Sequence, residues 1–264
     1  MHHFFVKPEQ IAEGMVRITG PDVNHAKNVL RMKPGEELLV SDGTGQDYLC
    51  RVAELDSEAV LAEILKKEED SRELPSRIIL YQGLPKSDKM ELIIQKAVEL
   101  GVSRIVPVAT KNAVVKLDKK KEESKLKRWQ SIAESAAKQS KRSVIPEISG
   151  VLTLKEAVKD ASVCGTGFFA YEHQEGMAGT AKELAGVGAG QSIAVFIGPE
   201  GGFEPEEVQM AEEAGIRPVS LGKRILRTET AGLTLLSVLM MKLELEAAEK
   251  ISNPGAKAGE RQEL

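Results

Sequence analysis

The sequence has only two cysteines, Cys50 and Cys164, and they lie far apart in the chain. They form no CxxC pair, which excludes a disulfide framework and a cysteine-based zinc site. Such sparse cysteine usage is typical of proteins in a reducing compartment, and a redox enzyme is not expected. We therefore predict no bound metal ion and a cytoplasmic location.

Long apolar runs are also lacking. No run of about 18 apolar residues occurs, which is the length that a membrane-spanning helix needs. The stretch MHHFFVKPEQ at the amino terminus has no apolar core of the kind found in secretory signals. The sequence therefore predicts no membrane partner.

The third feature that the sequence lacks is an excess of positive charge. Lys and Arg total 36 against 40 Asp and Glu, which gives a formal net charge of −4. This balance counts mildly against an RNA substrate, although a local basic face on an acidic protein can still bind a phosphate backbone. The 264 residues, 42% of them hydrophobic, predict one or two globular domains with a sizeable core.

Two patterns follow one another along the chain. Residues 1–73 consist of short β-rich runs separated by turns such as SDGTG at 41–45, and this predicts a small β-barrel. A helical segment at 22–31 interrupts the strands. The charged stretch 66–76 has no apolar period, so we interpret it as a linker with a domain boundary near residue 73.

Residues 74–251 alternate strands with helices, which predicts an α/β domain with a mainly parallel sheet. The predicted strands are 77–82, 104–109, 163–171, 192–197 and 217–221. The predicted helices are an amphipathic one ending before Gly101, then 119–140, 204–214 and 228–249. The last residues, 252–264, are expected to be a disordered tail.

The last predicted helix is apolar on more than one side, because its many leucine, valine and methionine side chains cannot share one stripe about 100° wide. Two interpretations are left open. The helix packs between the sheet and another helix, or one of its sides forms a dimer interface.

A glycine-rich loop gives the strongest local signal. The apolar strand at 193–197 is followed by Gly198-Pro199-Glu200-Gly201-Gly202-Phe203 and then by the start of a helix. Open α/β sheets bind ligands at such strand ends, and glycines let the backbone approach a ligand closely. The loop is not a P-loop, because the G-K-[ST] triplet is missing, and an ordinary tight turn is the competing interpretation. A second glycine-rich stretch, 186–190, precedes a strand and is interpreted as a turn.

A second loop has the same strand-to-helix arrangement. It comprises Leu221-Gly222-Lys223-Arg224-Ile225-Leu226-Arg227-Thr228-Glu229-Thr230-Ala231. Thr228 can cap the following helix, and Glu229 lies in its first turn, where a carboxylate is favourable. Solvated surface charge is the ordinary explanation of the three cations in this loop.

The pair GPEGGF and LGKRILRTETA, about twenty residues apart, resembles the signature of the ribosomal RNA uridine-N3 methyltransferases of the SPOUT superfamily. The stretches 29–32, 96–102 and 134–146 support the resemblance in the expected order, with Lys141 as one small departure. The resemblance implies a PUA-like β-barrel RNA-binding domain at 1–73. It also implies an α/β methyltransferase domain at 74–251, tied in a trefoil knot and assembled as a homodimer.

The same resemblance implies S-adenosylmethionine (SAM) as the cofactor, held by loops at strand ends. The residues that match the family's cofactor loops are Tyr171, Glu172, Ile197, Gly198, Pro199, Gly201, Gly202, Leu221, Gly222, Ile225 and Leu226. The implied substrate is N3 of a uridine in 16S ribosomal RNA, within an assembled small ribosomal subunit. The alternatives are a non-catalytic RNA-binding assembly factor, a related methyltransferase acting on another RNA, and a nucleotide-dependent enzyme.

The implied reaction needs alignment of the base and removal of the N3 proton, because a neutral imide is a poor nucleophile. The predicted proton acceptors are Glu200 and Glu229, although Glu229 is equally explained as a helix-start residue. Arg227 is predicted to clamp a phosphate or to stabilise charge on the uracil oxygens, with a surface ion pair to Glu229 or Glu204 as the alternative. The predicted RNA-binding residues are His25, Lys27, Arg31, Lys86, Lys138, Lys141 and Arg142.

Overall fold

The computed structural model describes residues 1–69, 71–113, 115, 117–171 and 176–252. The chain folds into two compact units. Unit 1 comprises Met1–Glu73 and Glu134–Ile145, and unit 2 comprises Leu74–Ala133 and the residues from Pro146 onward. The first segment of unit 1 ends at Glu73, and its second segment comes from within the predicted α/β domain.

Unit 1 is built on one six-stranded sheet with the order β1-β4-β5-β6-β3-β2. Its strands are β1 His2–Phe5, β2 Ile11–Ala12, β3 Met15–Thr19, β4 Glu37–Ser41, β5 Asp47–Leu55 and β6 Ala59–Lys67. The β1 and β4 pair is parallel and the other pairs are antiparallel. The predicted small barrel is therefore observed as one sheet, and β1 and β2 are its edge strands.

Strand β3 shows why these runs form a half-buried sheet. Val16 and Ile18 are buried, whereas Arg17 and Thr19 between and after them are exposed. Successive side chains of a strand point to opposite faces, so an alternating sequence buries one face and solvates the other. The buried face packs with Phe4 into a single apolar cluster.

The predicted helical segment at 22–31 is observed over residues 21–29, in two parts. The structure has a four-residue helix, α1 Pro21–Asn24, followed by a π-helical turn, His25–Val29. In that turn the amide of Leu30 bonds to the carbonyl of His25. Arg31 then adopts a left-handed φ of 55°, and this turns the chain so that Met32 enters the core.

Arg72 and Glu73, in the predicted linker, are both held by ion pairs. Arg72 forms an ion pair with Asp47, whose side chain is only 2% exposed, at 2.7 Å. Glu73 pairs with Arg142 and accepts hydrogen bonds from the amides of Ser143 and Val144 at 2.9 and 3.2 Å. Arg72 and Glu73 thus tie the charged stretch to unit 1, whose first segment ends at Glu73, because a buried carboxylate needs hydrogen-bond partners.

Unit 2 contains a seven-stranded sheet in which every described pairing is parallel. The strands are β7 Arg77–Gly83, β8 Arg104–Ala109, β9 Glu147–Ile148, β10 Leu152–Thr153, β11 Thr166–Ala170, β12 Ser192–Ile197 and β13 Arg217–Val219. The helices are α2 Lys89–Glu99, α3 Lys119–Ser140, α4 Leu154–Ala161, α5 Met177–Ala185, α6 Pro205–Glu213 and α7 Thr228–Ser252. Helix α3 enters unit 1 at Glu134.

The sheet order is β10-β8-β7-β12-β11-β13, with β9 beside β8. Strands β7 and β12 are apolar almost throughout, as expected for a parallel sheet covered on both faces. The ring of Tyr81 stacks on Phe196 at 4.4 Å within this core. Two predicted strands are shorter than expected. Val163 is 82% exposed and precedes β11, and β13 ends at Val219 instead of residue 221.

Helix α7 is buried on one side and exposed on another. Leu235, Leu236, Leu239 and Leu243 are buried, and the helix packs on α2 and β12. Val238, Met241 and Leu245 are 44, 52 and 58% exposed at helical spacing, so packing on the sheet accounts for only one of the two apolar sides. The helix continues to Ser252, and the rest of the predicted tail, 253–264, lies outside the described residues.

Two classes of feature are missing from the described residues. None of the helices in that part of the chain has the length and hydropathy of a membrane span. No group of three or more His, Cys, Asp and Glu side chains that could hold a metal ion occurs there either.

Candidate active site

A cavity of about 400 Å³ lies in unit 2, where three neighbouring strands end. Ala170 ends β11 and Tyr171 follows it, whereas Ile197 ends β12 and residues 198–200, 202 and 203 follow it. The stretch 220–228 follows β13. Because β12, β11 and β13 are adjacent and parallel, their carboxyl ends meet at one edge of the sheet. A pocket of a few hundred Å³ at this edge is the usual place for a small ligand in such folds.

The structure brings together most of the predicted cofactor residues. Those that line the cavity are Tyr171, Ile197, Gly198, Pro199, Gly202, Leu221, Gly222, Ile225 and Leu226. Glu172 lies outside the described residues. Ile225 is 84% exposed and therefore stands at the rim of the cavity.

Gly201 is placed differently from the prediction. It is not among the residues that line the cavity, and a Cβ added to it would lie 2.9 Å from Cβ of Asn112. Asn112 also donates a hydrogen bond from Nδ2 to the carbonyl oxygen of Gly201 at 3.0 Å. The glycine thus permits close packing of the loop after β8 against this loop, and a ligand is not what requires it here.

A buried hydrogen-bond chain holds the two ligand-type loops together. Gln82, the fully buried penultimate residue of β7, donates from Nε2 to the hydroxyl of Thr228 at 2.9 Å. The Thr228 hydroxyl in turn donates to the carbonyl oxygen of Gly198 at 2.5 Å. The sequence predicts a capping role for Thr228, but its hydroxyl joins the loops, and Arg227 accepts the first helical bond of α7 through its carbonyl oxygen, from Ala231 at 2.8 Å.

Three charged side chains form a cluster at one end of the cavity. The ammonium of Lys89 lies 2.9 Å from Oε1 of Glu200 and 3.3 Å from Oε2 of Glu229. Lys89 and Glu200 line the cavity, whereas Glu229 does not. The two carboxylates predicted as proton acceptors are therefore not equivalent, because only Glu200 faces the space that a substrate can occupy.

The environment of Glu200 favours its ionised form. Partial burial raises its pKa, but Lys89 and the backbone amides of Glu200 and Lys86 outweigh this, so the pKa lies below its ordinary value. The Lys86 amide is 3.2 Å from each carboxylate oxygen. A carboxylate with a lowered pKa accepts a proton only weakly.

Sequence reasoning did not identify Lys89. It is the first residue of α2, and a helix N-terminus disfavours a cation, which is the one local signal that could have drawn attention to it. Asn112 gave no such signal, since an asparagine after a strand is ordinary turn chemistry.

Arg227 is exposed and lines the cavity together with Lys223 and Arg224. The structure shows no ion pair between Arg227 and any other described residue. The two carboxylates named above as possible ion-pair partners of Arg227 bind other side chains: Glu229 pairs with Lys89, and Glu204 accepts a hydrogen bond from Asn112. The guanidinium is therefore open to an anionic ligand on this side of the cavity.

Comparison with known proteins identifies the family. A model of the RNA methyltransferase domain matches residues 72–240, which is more than half of the chain. The chain belongs to this RNA methyltransferase family. A second model, of the RNA methyltransferase PUA domain, matches residues 18–65 within unit 1.

Relatives of this RNA methyltransferase cover almost its whole length. The ribosomal RNA small subunit methyltransferase E of Bacillus subtilis is 34% identical over 93% of this chain and 98% of its own. A crystal structure of the enzyme of that name from Neisseria gonorrhoeae, bound to SAM, is 33% identical, with a TM-score of 0.80 over 92% of this chain and 98% of its own. A putative methyltransferase from Legionella pneumophila, in complex with SAM, is 31% identical with a TM-score of 0.79 over 91 and 97%.

The residues predicted to bind RNA fall into two groups in this RNA methyltransferase. The exposed ones are His25, Lys27, Arg31, Lys86 and Lys141. Lys138 is 21% exposed and forms ion pairs with Asp22 and Glu134. Arg142 is 5% exposed and pairs with Glu73, so it can contact a phosphate only if this pair opens, and we assign it to the stability of unit 1.

Proposed function

We propose that this RNA methyltransferase transfers a methyl group from SAM to N3 of a uridine in small-subunit (16S) ribosomal RNA. The observation that carries the proposal is the cavity formed by the GPEGGF and LGKRILRTETA loops. Relatives named for small-subunit ribosomal RNA methylation match nearly the whole chain.

The residues of the cavity fit SAM. Its volume of about 400 Å³ suits a ligand of this size, and Leu221 and Leu226 supply apolar walls for an adenine ring. The stretch 221–226 lies outside helices and strands, so it offers backbone groups that are not used in helix or strand bonds and that can bond the polar edge of the ring. When bound, SAM supplies an electrophilic methyl group on a cationic sulfur. Gly202 and Gly222, with φ of 65 and 105°, adopt backbone conformations that bring the loops to the ligand.

The remaining residues act on the uridine. We assign to Arg227 the contact with an RNA phosphate or with the negative charge that develops on the uracil oxygens. Glu200 is the better candidate for accepting the N3 proton, because it lines the cavity and Glu229 does not. The base must be turned out of its stack to reach this pocket.

RNA docking is proposed to use the exposed cations of each unit. In unit 1 these are Lys27 and Arg31, with His25, in or just after the π-helical turn, and Lys141 after α3. In unit 2 Lys86 lies beside the cavity residue Glu200. Such contacts position the RNA and carry no sequence information by themselves. The assembled small subunit is the proposed substrate form, in the cytoplasm.

We also propose a trefoil-knotted path through the loops after β11, β12 and β13, and a homodimer. The dimer is supported by the exposed stripe of Val238, Met241 and Leu245 on α7, because an apolar stripe of this kind commonly marks a protein interface. The two subunits would then share one RNA between them.

The test combines methylation with binding. Small ribosomal subunits that lack the modification are incubated with the protein and SAM, and nucleosides are identified by mass spectrometry. Appearance of 3-methyluridine in the small-subunit RNA is the expected result. Calorimetry with SAM and with ATP separates the alternatives. RNA binding without SAM binding identifies a non-catalytic factor, ATP binding a nucleotide-dependent enzyme, and methylation only of other RNA a different substrate.

A further inference from the structure

The cavity end at Lys89 has a charge arrangement that the proposed reaction does not yet use. Lys89 begins α2, where the helix dipole disfavours a cation, yet its ammonium is held by carboxylates from two other elements. The side chains of Lys89 and Glu200 are each 27% exposed, and both line the cavity. A locally unfavourable residue that is held this way at a ligand site calls for a functional explanation.

Resting on the proposed function, we propose that Lys89 and Glu200 together read the imide edge of the turned-out uracil. Lys89 donates to the carbonyl oxygen beside N3, and Glu200 accepts the N3 proton. Glu229 does not line the cavity. It is a positioning residue, which pairs with the Lys89 ammonium and orients it.

Lys89 and Glu200 are complementary to the uracil edge, because they place a hydrogen-bond donor beside an acceptor. A uracil edge presents a carbonyl oxygen next to the N3–H group, so it needs a donor next to an acceptor, and the ammonium and carboxylate lie 2.9 Å apart. Cytosine has an unprotonated N3, which would face the carboxylate with no proton to donate, and on the C4 side its amino donor would face the ammonium. The same two side chains therefore attract uracil and repel cytosine.

The proton step balances within these groups. The N3–H bond breaks and leaves its electron pair on the imide, spread over the two oxygens, while an O–H bond forms on Glu200. One negative charge thus moves from the carboxylate to the base, where the ammonium of Lys89 faces it. The charge on the base is removed when N3 gains the methyl group, and Glu200 returns its proton to solvent.

The pKa values explain why the cation is needed. The Glu200 carboxylate raises the pKa of Lys89, so Lys89 stays protonated and is a donor, never the base. Burial raises the pKa of Glu200, but Lys89 and the backbone amides outweigh it, and the net pKa is lowered. A weak acceptor can remove the N3 proton only if the acidity of the imide is raised, and a facing ammonium does this. The charged groups that pair with Lys89 are Glu200 and Glu229, and Lys223, Arg224 and Arg227 line the same cavity.

The experiment measures single-turnover methylation of unmodified small subunits by Lys89→Gln across pH. Near pH 7 we expect a loss of about 10²–10³-fold, the usual effect of removing one preorganised donor. The deficit should shrink as pH rises to about 9.5, because solvent then deprotonates the imide. Calorimetric SAM affinity should stay within about threefold. The matched control is Lys96→Gln on the same helix, whose ammonium pairs with Glu99 at 2.8 Å outside the cavity.

A double-mutant cycle tests the role of Glu229. If Glu229 acts only through Lys89, Glu229→Gln lowers the rate less than Lys89→Gln does, and the double variant is no slower than Lys89→Gln alone. A double variant slower by the product of the two single effects would make Glu229 an independent base and overturn its positioning role.

Two results overturn the inference about Lys89. One is a Lys89→Gln rate within about threefold of the parent rate, and the other is a loss that is equal at every pH, which indicates a structural effect. Failure of the proposed function is recognised separately, because the parent protein then forms no 3-methyluridine at any pH, and the inference falls with it.

Discussion

Gly83 lies where β7 passes closest to the GPEGGF loop, and we predict that Gly83→Ala damages the cofactor site without touching the cavity. A Cβ at this position would lie 2.6 Å from Cδ and 2.7 Å from the backbone nitrogen of Pro199. Carbon atoms pack at about 3.5–4.0 Å, so the loop must retreat by about 1 Å. Neither the proline ring nor the backbone can rotate away from this contact.

The expected magnitude follows from the cost of overpacking. Inserting a methyl group into a tightly packed site costs about 1–3 kcal/mol. For a domain of this size each kcal/mol lowers Tm by roughly 2–4 °C, which predicts a loss of about 2–12 °C. Because Gly198 and Pro199 line the cavity, the retreat should also weaken SAM binding at least tenfold, or about 1.4 kcal/mol.

Scanning calorimetry and titration calorimetry on one preparation measure both effects. Gly179→Ala is the matched control, since Gly179 lies inside α5 and a Cβ there meets nothing within 4 Å. Alanine in a helix interior stabilises by about 0.5–1 kcal/mol relative to glycine, so this control should melt at the same or a higher temperature. A Gly83→Ala protein with parental Tm and SAM affinity would show that the close approach of β7 does not shape the pocket.

Four further predictions concern other parts of the molecule. Arg227→Ala should lower single-turnover methylation about 10²–10³-fold with nearly unchanged SAM affinity, and Arg227→Lys should restore little; a loss of only a few-fold would return the residue to the surface. Glu73→Ala should destabilise unit 1 by about 1.5–3 kcal/mol, since it removes the carboxylate that pairs with the buried Arg142, and urea unfolding with an unchanged midpoint would contradict this. Met241→Glu should shift the mass in solution to that of a monomer, whereas a parent that is already monomeric at assay concentrations rules out the dimer. Burial lowers the pKa of His3, so its contribution to stability is complete above the unfolded pKa of 6.5 and is lost as pH falls through the folded value; His3→Gln should lose less stability on acidification than the parent.

The parallel sheet of unit 2 was predictable because its strands are buried on both faces. A strand of this kind is a continuous apolar run such as IAVFI, and the run ends where the chain leaves the sheet. The loops at 198–203 and 221–227 follow such runs, so their position at one edge of the sheet followed from the fold class. Strand ends were less certain, as the shorter β11 and β13 show, because exposed residues such as Val163 share the composition of strands.

The tertiary partners of the site residues were not predictable. Gln82 and Thr228 are 146 residues apart, and no local pattern specifies that their side chains meet. Gly201 illustrates the same limit, because a glycine in a loop permits close approach without indicating whether a ligand or a neighbouring loop approaches. Here the neighbour is Asn112. The π-helical turn at His25–Val29 was not indicated by any local pattern either, and Ala26 and Met32 are buried in and just after it.

Two helices of unit 2 start with a cation beside the same cavity, although a cation is unfavourable at a helix N-terminus. Lys89 begins α2, and Arg227 accepts the first helical bond of α7. Both side chains line the same cavity. The two helix starts therefore add their own positive potential to that of the side chains, and the cavity end between them is suited to a developing negative charge. Glu229, in the first turn of α7, partly offsets this potential and pairs with Lys89. In the proposed reaction the anionic uracil imide is the species that this arrangement would stabilise over its neutral form, and such a difference in binding accelerates a reaction.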